Sequence, residues 1–400
     1  MIYYRKSKME LNFDKIFRIA IISQKFSGTY PYTKRDKKWA THFILMHGEL
    51  TIICMLFIYN IIEFDLKAAD YSQMCRNMCL SFVYLVITLL YINMLYYQSK
   101  LKMLIETMKA EYEIAKTMSE EEQNVILEYA KKGRWLCRAW AILTTCGMAQ
   151  FFLKSIIVCT IYSAIQGNFR IVQYYEVIYP EVIERHRNNP VIFITMYFCT
   201  FFYSLYTSAL YTSVLPLGPI FLLHGCAKLE IVRLNIKNLF DNDDYVVQER
   251  LKKTVLQMQE IYCYSNEINE CFQVIYEFLL KSSSLVLPIT IFAVIQALGR
   301  GQFIPEFFAF IFGAFVVGTT PCYYSNMLME KSEDVCMTLY SCGWETRFDL
   351  NTRKCIILML CRALRPVSIR TIFRSVSLTT LTGVFQQAYA LFNLLNAVWN

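Results

Sequence analysis

Few residues in this 400-residue chain are placed to do covalent chemistry. His42, His47, His186 and His224 are scattered, with no carboxylate or cysteine at metal-ligand spacing, and neither a glycine-rich phosphate loop nor a nucleophile elbow occurs. Fifteen cysteines suggest a disulfide framework, yet no CxxC pair is present and most lie in apolar runs, where a buried thiol is the ordinary outcome. Cys75, Cys79 and Cys159 fall near one membrane boundary, which leaves a single bridge there open. The chain reads as no enzyme, with no catalytic residue, no cofactor and no metal site.

The chemistry on offer is recognition and permeation inside a membrane. Ionisable residues within apolar runs are functional candidates. Glu49 lies near the middle of its run and should face protein or water, Lys154 is placed to snorkel outward ahead of any ligand role, and Arg138 is an interfacial anchor. Aromatic residues crowd the outer halves of several runs: Phe82, Phe151, Phe152, Tyr197, Phe198, Phe201, Phe307 and Phe310, with Met78 and Ser155 nearby. A mostly apolar cavity with a few hydroxyls would take a small neutral molecule; ordinary packing or lipid-facing positions use the same residues. In the last run Phe385, Tyr389, Phe392, Asn396 and Trp399 recur at i+4, i+3, i+4 and i+3 and so share one helix face. Gln386, Asn393 and Asn396 need a protein partner or water there. A pore lining and contacts within a packed bundle both meet that need.

These residues must be held by membrane-spanning elements. With 56% hydrophobic and 16% aromatic residues and a mean hydropathy of +0.33, the composition belongs to the membrane class. The formal charge of +8 is dispersed among short segments between apolar runs, which points to topogenic charge and not to nucleic acid. Spans of suitable length fall near 39–62, 77–97, 137–161, 191–214, 275–298, 303–326 and 377–398. Residues 1–38 carry ten Lys and Arg against three acidic residues, which keeps them cytosolic. Segments 98–136, 224–274 and 328–375 hold most of the remaining basic residues, whereas 63–76, 162–190 and 299–302 hold only Lys67, Arg76, Arg170, Arg185, Arg187 and Arg300. The N-terminus is therefore expected inside and the C-terminus outside, opposite to a G-protein-coupled receptor. The opening Met-Ile-Tyr-Tyr-Arg-Lys lacks a signal peptide's apolar core, so the first span is expected to serve as the insertion signal.

The cytosolic segments have their own pattern. Leu11, Phe13, Ile16, Phe17, Ile19, Ala20 and Ile21 fit an interfacial amphipathic helix with Lys15 and Arg18 at headgroups, or a simple loop. Leu101, Leu104, Ile105, Met108, Tyr112, Ile114 and Ala115 predict a surface helix that continues the second span through 99–134. Leu229, Val232, Leu234, Ile236 and Leu239 begin a second stripe, which resumes after the polar break Asp241-Asn-Asp-Asp244 with Leu251, Val255, Met258, Ile261, Ile268, Phe272 and Ile275. Such helices form either a packed cytosolic domain where subunits meet or a cover for their own chain. The run from Pro190 to Leu223 would reach about 50 Å as a straight helix, so Pro216, Gly218 and Pro219 are expected to break it. Pro366 likewise separates the basic helix Arg353–Arg365 from the final span.

Ser332-x-x-Val335, Tyr340, Trp344, Arg362-x-x-x-Pro366, Ser375-Val-Ser-Leu378 and Ala388-Tyr389 together resemble the insect odorant receptor family. Residue pattern and resemblance agree on an all-α, seven-transmembrane protein with helices extended into a cytosolic anchor domain. Its parts are 1–38 as N-terminal segment, 39–326 as the first six spans, 327–375 as anchor segment and 376–400 as the last helix. The resemblance implies an odorant-tuning subunit of a heteromeric, odorant-gated, non-selective cation channel. It would sit in the membrane of an olfactory sensory neuron dendrite, in a heterotetramer with the shared odorant co-receptor, and meet membrane lipids and a volatile organic ligand. The ligand would bind among the ten outer-half residues named above. Phe385, Tyr389, Phe392 and Asn396 would line the pore, with Phe392 and the atypically polar Asn396 at its constriction. A gustatory receptor of the same superfamily and a membrane transporter are the alternatives; Leu395-Asn396 stands where the former usually has Gln-Phe, and no internal repeat marks the latter.

Overall fold

A computed structural model of the chain describes residues 11–166, 173–175, 177–186, 189–240, 244–301, 304–347 and 349–399. The expectations placed on residues 1–10, Asp241-Asn-Asp243, Arg170, Arg187 and the side chain of Trp399 lie outside these. The described residues form α1 (Phe13–Ile16), α2 (Arg18–Ser27), α3 (Lys37–Asn60, prolonged by a π turn at Ile61–Asp65), α4 (Tyr71–Tyr96) and α5 (Gln98–Ala115). Next come α6 (Glu120–Gln166), α7 (Glu181–Glu184), α8 (Pro190–Val214), α9 (Leu217–Lys237) and α10 (Asp244–Gly299). The chain ends in α11 (Pro305–Tyr340), α12 (Leu350–Ala363) and α13 (Leu378–Trp399).

Among the described residues, six helical stretches, containing α3, α4, α6, α8 with α9, α10 and α11, are long and apolar enough to cross a membrane. Helix α13 has the length, 22 residues, but Gln386, Gln387, Asn393 and Asn396 dilute its apolar character. At ~1.5 Å per residue, α10 with its 56 residues extends roughly 80 Å, far beyond a ~30 Å hydrocarbon core. Helices α6 and α11 also overrun it, and the overhangs gather with α5, α9 and α12 into a second packed body, called here the anchor end.

The anchor end buries the stripes read from the sequence. Leu101, Leu104, Met108 and Ala115 of α5 are sealed in one core with Phe221 and Ile236 of α9, Ile268 and Phe272 of α10, Leu328 and Leu339 of α11, and Ile356 of α12. Helix α5 is thus a surface helix whose apolar stripe packs inward, with Ile114, 55% exposed, the stripe residue left outside. The segment 99–134 is not one helix. The chain breaks after Ala115, and a capping box restarts it: the Ser119 backbone N–H and hydroxyl both donate to Glu122 Oε2, and the Glu122 N–H faces Ser119 Oγ. From Glu120 onward, α6 makes the long approach to the third span.

The N-terminal segment is also helical, and most of its apolar face is covered by protein. Leu11, Phe13, Ile16, Phe17 and Ala20 are buried in the protein core. Gln24 Nε2 donates to the Ser213 carbonyl at 3.2 Å, Tyr206 Oη donates to the Ser27 carbonyl at 3.0 Å, and Lys109 pairs with Asp14 at 2.9 Å.

Pro216 separates α8 from α9 as expected, and the adjoining glycine has a packing reason. A Cβ on Gly218 would stand 2.2 Å from Tyr276 Oη and 3.1 Å from the Phe272 ring. Gly218→Ala is expected to cost about 2 kcal/mol through overpacking. Tyr276→Phe in the same chain removes the clashing oxygen and should recover most of it, as read by thermal unfolding of both variants in detergent.

Helix α12 stops at Ala363, and the chain crosses to α13 through an extended piece bridged at Arg370–Ser375. The family-like residues hold this crossing: the Val367 N–H donates to Ser332 Oγ at 3.0 Å, Val335 is buried, and the Arg362 guanidinium lies 3.8 Å from the Tyr262 ring centre. None of the fifteen cysteines forms a disulfide, Cys75, Cys79 and Cys159 included.

Candidate functional site

Helices α4, α6, α8, α10 and α11 enclose a cavity of about 830 Å³. Its walls are mostly apolar, with Phe82, Phe151 and Phe310 among them, so three of the ten expected ligand residues line it. Tyr197 and Phe201 stand one layer away with their rings on Tyr174, and Phe152 meets Phe201. Ser155 is buried outside the lining. Phe307 is sealed against Phe292, Ala293 and Cys75 in a separate cluster. Met78 and Phe198 point out of the bundle, as lipid-facing residues do.

The cavity reaches further toward the anchor end than those ten residues suggest, to Trp135, Arg138 and Trp140. Its polar edge was missed from the sequence: Ser204, Thr207, Ser208 and Tyr211 of α8 line it, with Thr144 of α6 and Ser283 of α10. The i, i+3, i+4, i+7 spacing of the α8 hydroxyls was the available signal. Ser283 is already committed, donating to the Ala314 carbonyl at 2.9 Å, and the Thr207 Oγ1 is buried within the wall.

The end opposite the anchor is plugged by the loop before α8. Tyr174, Tyr175, Val177 and Tyr179 are buried there, and the Tyr174 hydroxyl donates to the Met148 carbonyl at 2.8 Å. Asn60 clamps the loop twice, donating to the Ile178 carbonyl at 2.9 Å and accepting from its N–H at 2.7 Å. The remaining opening is lateral: Trp135, Ile142, Cys146 and Phe312 line the cavity and are exposed on the bundle's flank.

Lys154 does not snorkel. Its ammonium lies 2.6 Å from Glu306 Oε1, and the Glu306 side chain is only 2% exposed. A cation in reach of a buried carboxylate gains more by pairing than by stretching to the interface. Lys154→Met is expected to lower stability by about 2 kcal/mol, and the further change Glu306→Met to restore most of it, since removing both charges leaves no orphan. Melting curves of the single and double variants check this. Glu49 is half-buried beside Cys199 of α8, facing protein as expected.

Helix α13 packs on α10 and α11. The Phe385 ring stacks on Phe315 at 5.4 Å with only 4° between planes, and Phe392 joins the cluster around Phe292 and Phe307. Asn396 is half-buried, whereas Tyr389 is 67% exposed. The face of α13 that its own chain leaves uncovered carries Gln386, Tyr389, Asn393, Leu394 and Val398.

Comparison with known proteins agrees with this architecture. The chain is similar in fold to the insect olfactory receptor OR5 from Machilis hrabei, both alone and in complex with eugenol. For the complex the TM-score is 0.75, with 16% sequence identity over 96% of this chain and 98% of the other. It is 20% identical over 187 residues to Odorant receptor 10a of Drosophila melanogaster, which covers 44% of this chain and 46% of that protein. It is 25% identical over 152 residues to Odorant receptor 56a of the same fly, 38% of this chain and 33% of the other. The chain thus spans less than half the length of these curated relatives. The family described as 7tm Odorant receptor matches residues 70–389. With that match running from the second span into the last, and the same seven-helix membrane fold throughout, this multi-pass membrane protein belongs to the odorant receptor family.

Proposed function

We propose that the chain is the ligand-binding subunit of a ligand-gated cation channel. A small, neutral, lipophilic volatile occupies the cavity and shifts the population toward a state in which α13 lines an open pore. The observation that carries this reading is a shared wall: α10 and α11 bound the cavity and also hold α13 through Phe315–Phe385 and the Phe292–Phe307 cluster. Rings at Phe82, Phe151 and Phe310 suit the apolar body of the ligand, and the hydroxyl-bearing edge along α8 suits an oxygen on it.

The anchor end lies in the cytosol, where the basic segments belong, and α13 runs outward to an extracellular C-terminus. The N-terminal segment, the six-span bundle, the anchor and the last helix divide the labour as 1–38, 39–326, 327–375 and 376–400. The partner is the shared odorant co-receptor, in a heterotetramer in the dendritic membrane of an olfactory neuron. Of the four expected pore residues, Tyr389 lies on the uncovered face of α13, while Phe385 and Phe392 pack on their own chain. Leu394 and Val398, one turn apart on that face, are better placed than Phe392 and Asn396 to form an apolar constriction.

Membrane current in cells expressing the chain with and without the co-receptor tests the proposal, using a panel of esters, alcohols, terpenes and aromatics that includes eugenol. Rapid inward current that needs both chains supports it. Leu394→Asn or Val398→Asn should add a standing current without ligand, because a polar side chain wets the constriction. Solute flux carried by this chain alone would favour a transporter instead.

A further inference from the structure

One charged side chain lines the cavity among the described residues, and it has no counter-charge. Arg138 sits at the anchor-side mouth, exposed, where the apolar part of α6 begins. Its guanidinium makes no ion pair and no hydrogen bond among the described residues, in a chain where Lys154, Lys228 and Arg233 all find carboxylates. The mouth beside it opens sideways, between Trp135 and Ile142 of α6 and Phe312 of α11. Helices α6 and α11 touch over only a short stretch. From Arg138 to Phe151 the cavity follows α6 for roughly 20 Å, at ~1.5 Å per residue.

We propose that this mouth binds an anionic phospholipid from the anchor-side leaflet. Its phosphate pairs with Arg138 and one acyl chain enters the cavity between α6 and α11. An unneutralised arginine at the level where an apolar helix leaves the hydrocarbon meets lipid phosphates, and the fork of the guanidinium suits a phosphate bidentately. The slot beyond it is mostly apolar and opens on the flank of the bundle, so a tail is the available filler. Glycines mark the slot: a Cβ on Gly147 or Gly313 would meet no atom within 4 Å. The lipid then competes with any ligand for the same volume. This inference rests on the cavity and Arg138 alone and stands apart from the channel reading.

Trp140 supplies the test, because it lines the cavity yet is only 3% exposed, out of reach of lipid on the outer surface. The full chain is placed in nanodiscs whose lipids carry brominated acyl chains, and the quenching that disappears in Trp140→Phe is measured. That component should be about fivefold stronger with brominated phosphatidylserine or phosphatidylglycerol than with brominated phosphatidylcholine, the preference one basic residue confers near a bilayer. Arg138→Gln should level the two, Arg138→Lys should keep the preference, and Gly313→Phe, which fills the slot, should abolish the component. Equal quenching by both lipid classes, or none, overturns the proposal. So does stronger quenching by a brominated free fatty acid, which would make a soluble carboxylate the occupant.

Discussion

Gly147→Phe is expected to raise the concentration of volatile needed for half-maximal current by about 100-fold, with the folded complex still at the cell surface. Gly147 lines the cavity, and a Cβ built there meets no atom within 4 Å, so a side chain can start from it without a clash and compete for the ligand's volume. Replacing glycine within a helix also favours the helix, which removes misfolding as the obvious cause of any loss. Displacing on the order of 100 Å² of apolar ligand contact at ~25 cal/mol per Å² forfeits about 2.5 kcal/mol, close to that factor. Gly48→Phe on α3 is the control: it too has open space at Cβ but lies outside the cavity, and sensitivity should not move. Dose–response curves for any activating volatile decide, and equal shifts in the two variants would remove the cavity from the account.

Glu111→Gln is expected to cost about 3–5 kcal/mol of stability, enough to deplete the folded protein at physiological temperature. Glu111 Oε1 accepts from Lys228 Nζ and Oε2 meets His224 Nε2, both at 2.5 Å, inside the anchor end. His224 is 4% exposed and Lys228 14%, so the glutamine variant leaves a largely covered ammonium without its carboxylate. Burial alone would raise the Glu111 carboxyl; the hydrogen bond and charge of His224, with those of Lys228, outweigh it and hold the group at about 2. A depressed carboxylate stabilises the fold above its unfolded value and loses that contribution as pH falls through its folded value. The gap in melting temperature between wild type and Glu111→Gln should therefore be full at neutral pH and close as pH falls from 4.5 toward about 2. A gap that persists at the acid end would mean that Glu111 acts by shape and not by charge.

Much of this architecture was legible in the residues. The spans, the break at Pro216 and the stop before Pro366 follow from hydropathy and proline stereochemistry, which act locally. The anchor stripes followed from helical periodicity, but periodicity says only that a face is apolar. Whether lipid, solvent or another helix covers it is decided in three dimensions, which is why what covers the α5 stripe and the N-terminal helices was not legible. The same limit applied to the site. Phe82, Phe151 and Phe310 line the cavity, yet Met78 and Phe198, of similar character and depth, face outward, because a few tens of degrees of helix rotation separate the two fates. Lys154 and Glu306 are 152 residues apart, and no local rule pairs them. The α8 hydroxyl stripe could have been read; aromatic density drew attention away from it.

The most direct measurement of the central claim uses this chain and the co-receptor, purified together and placed in a planar bilayer with no other protein or nucleotide present. If cavity occupancy opens a pore lined by α13, an activating volatile will produce discrete channel openings, and Leu394→Asn will produce them without it. A bilayer that stays silent while the labelled volatile demonstrably fills the cavity would contradict the account.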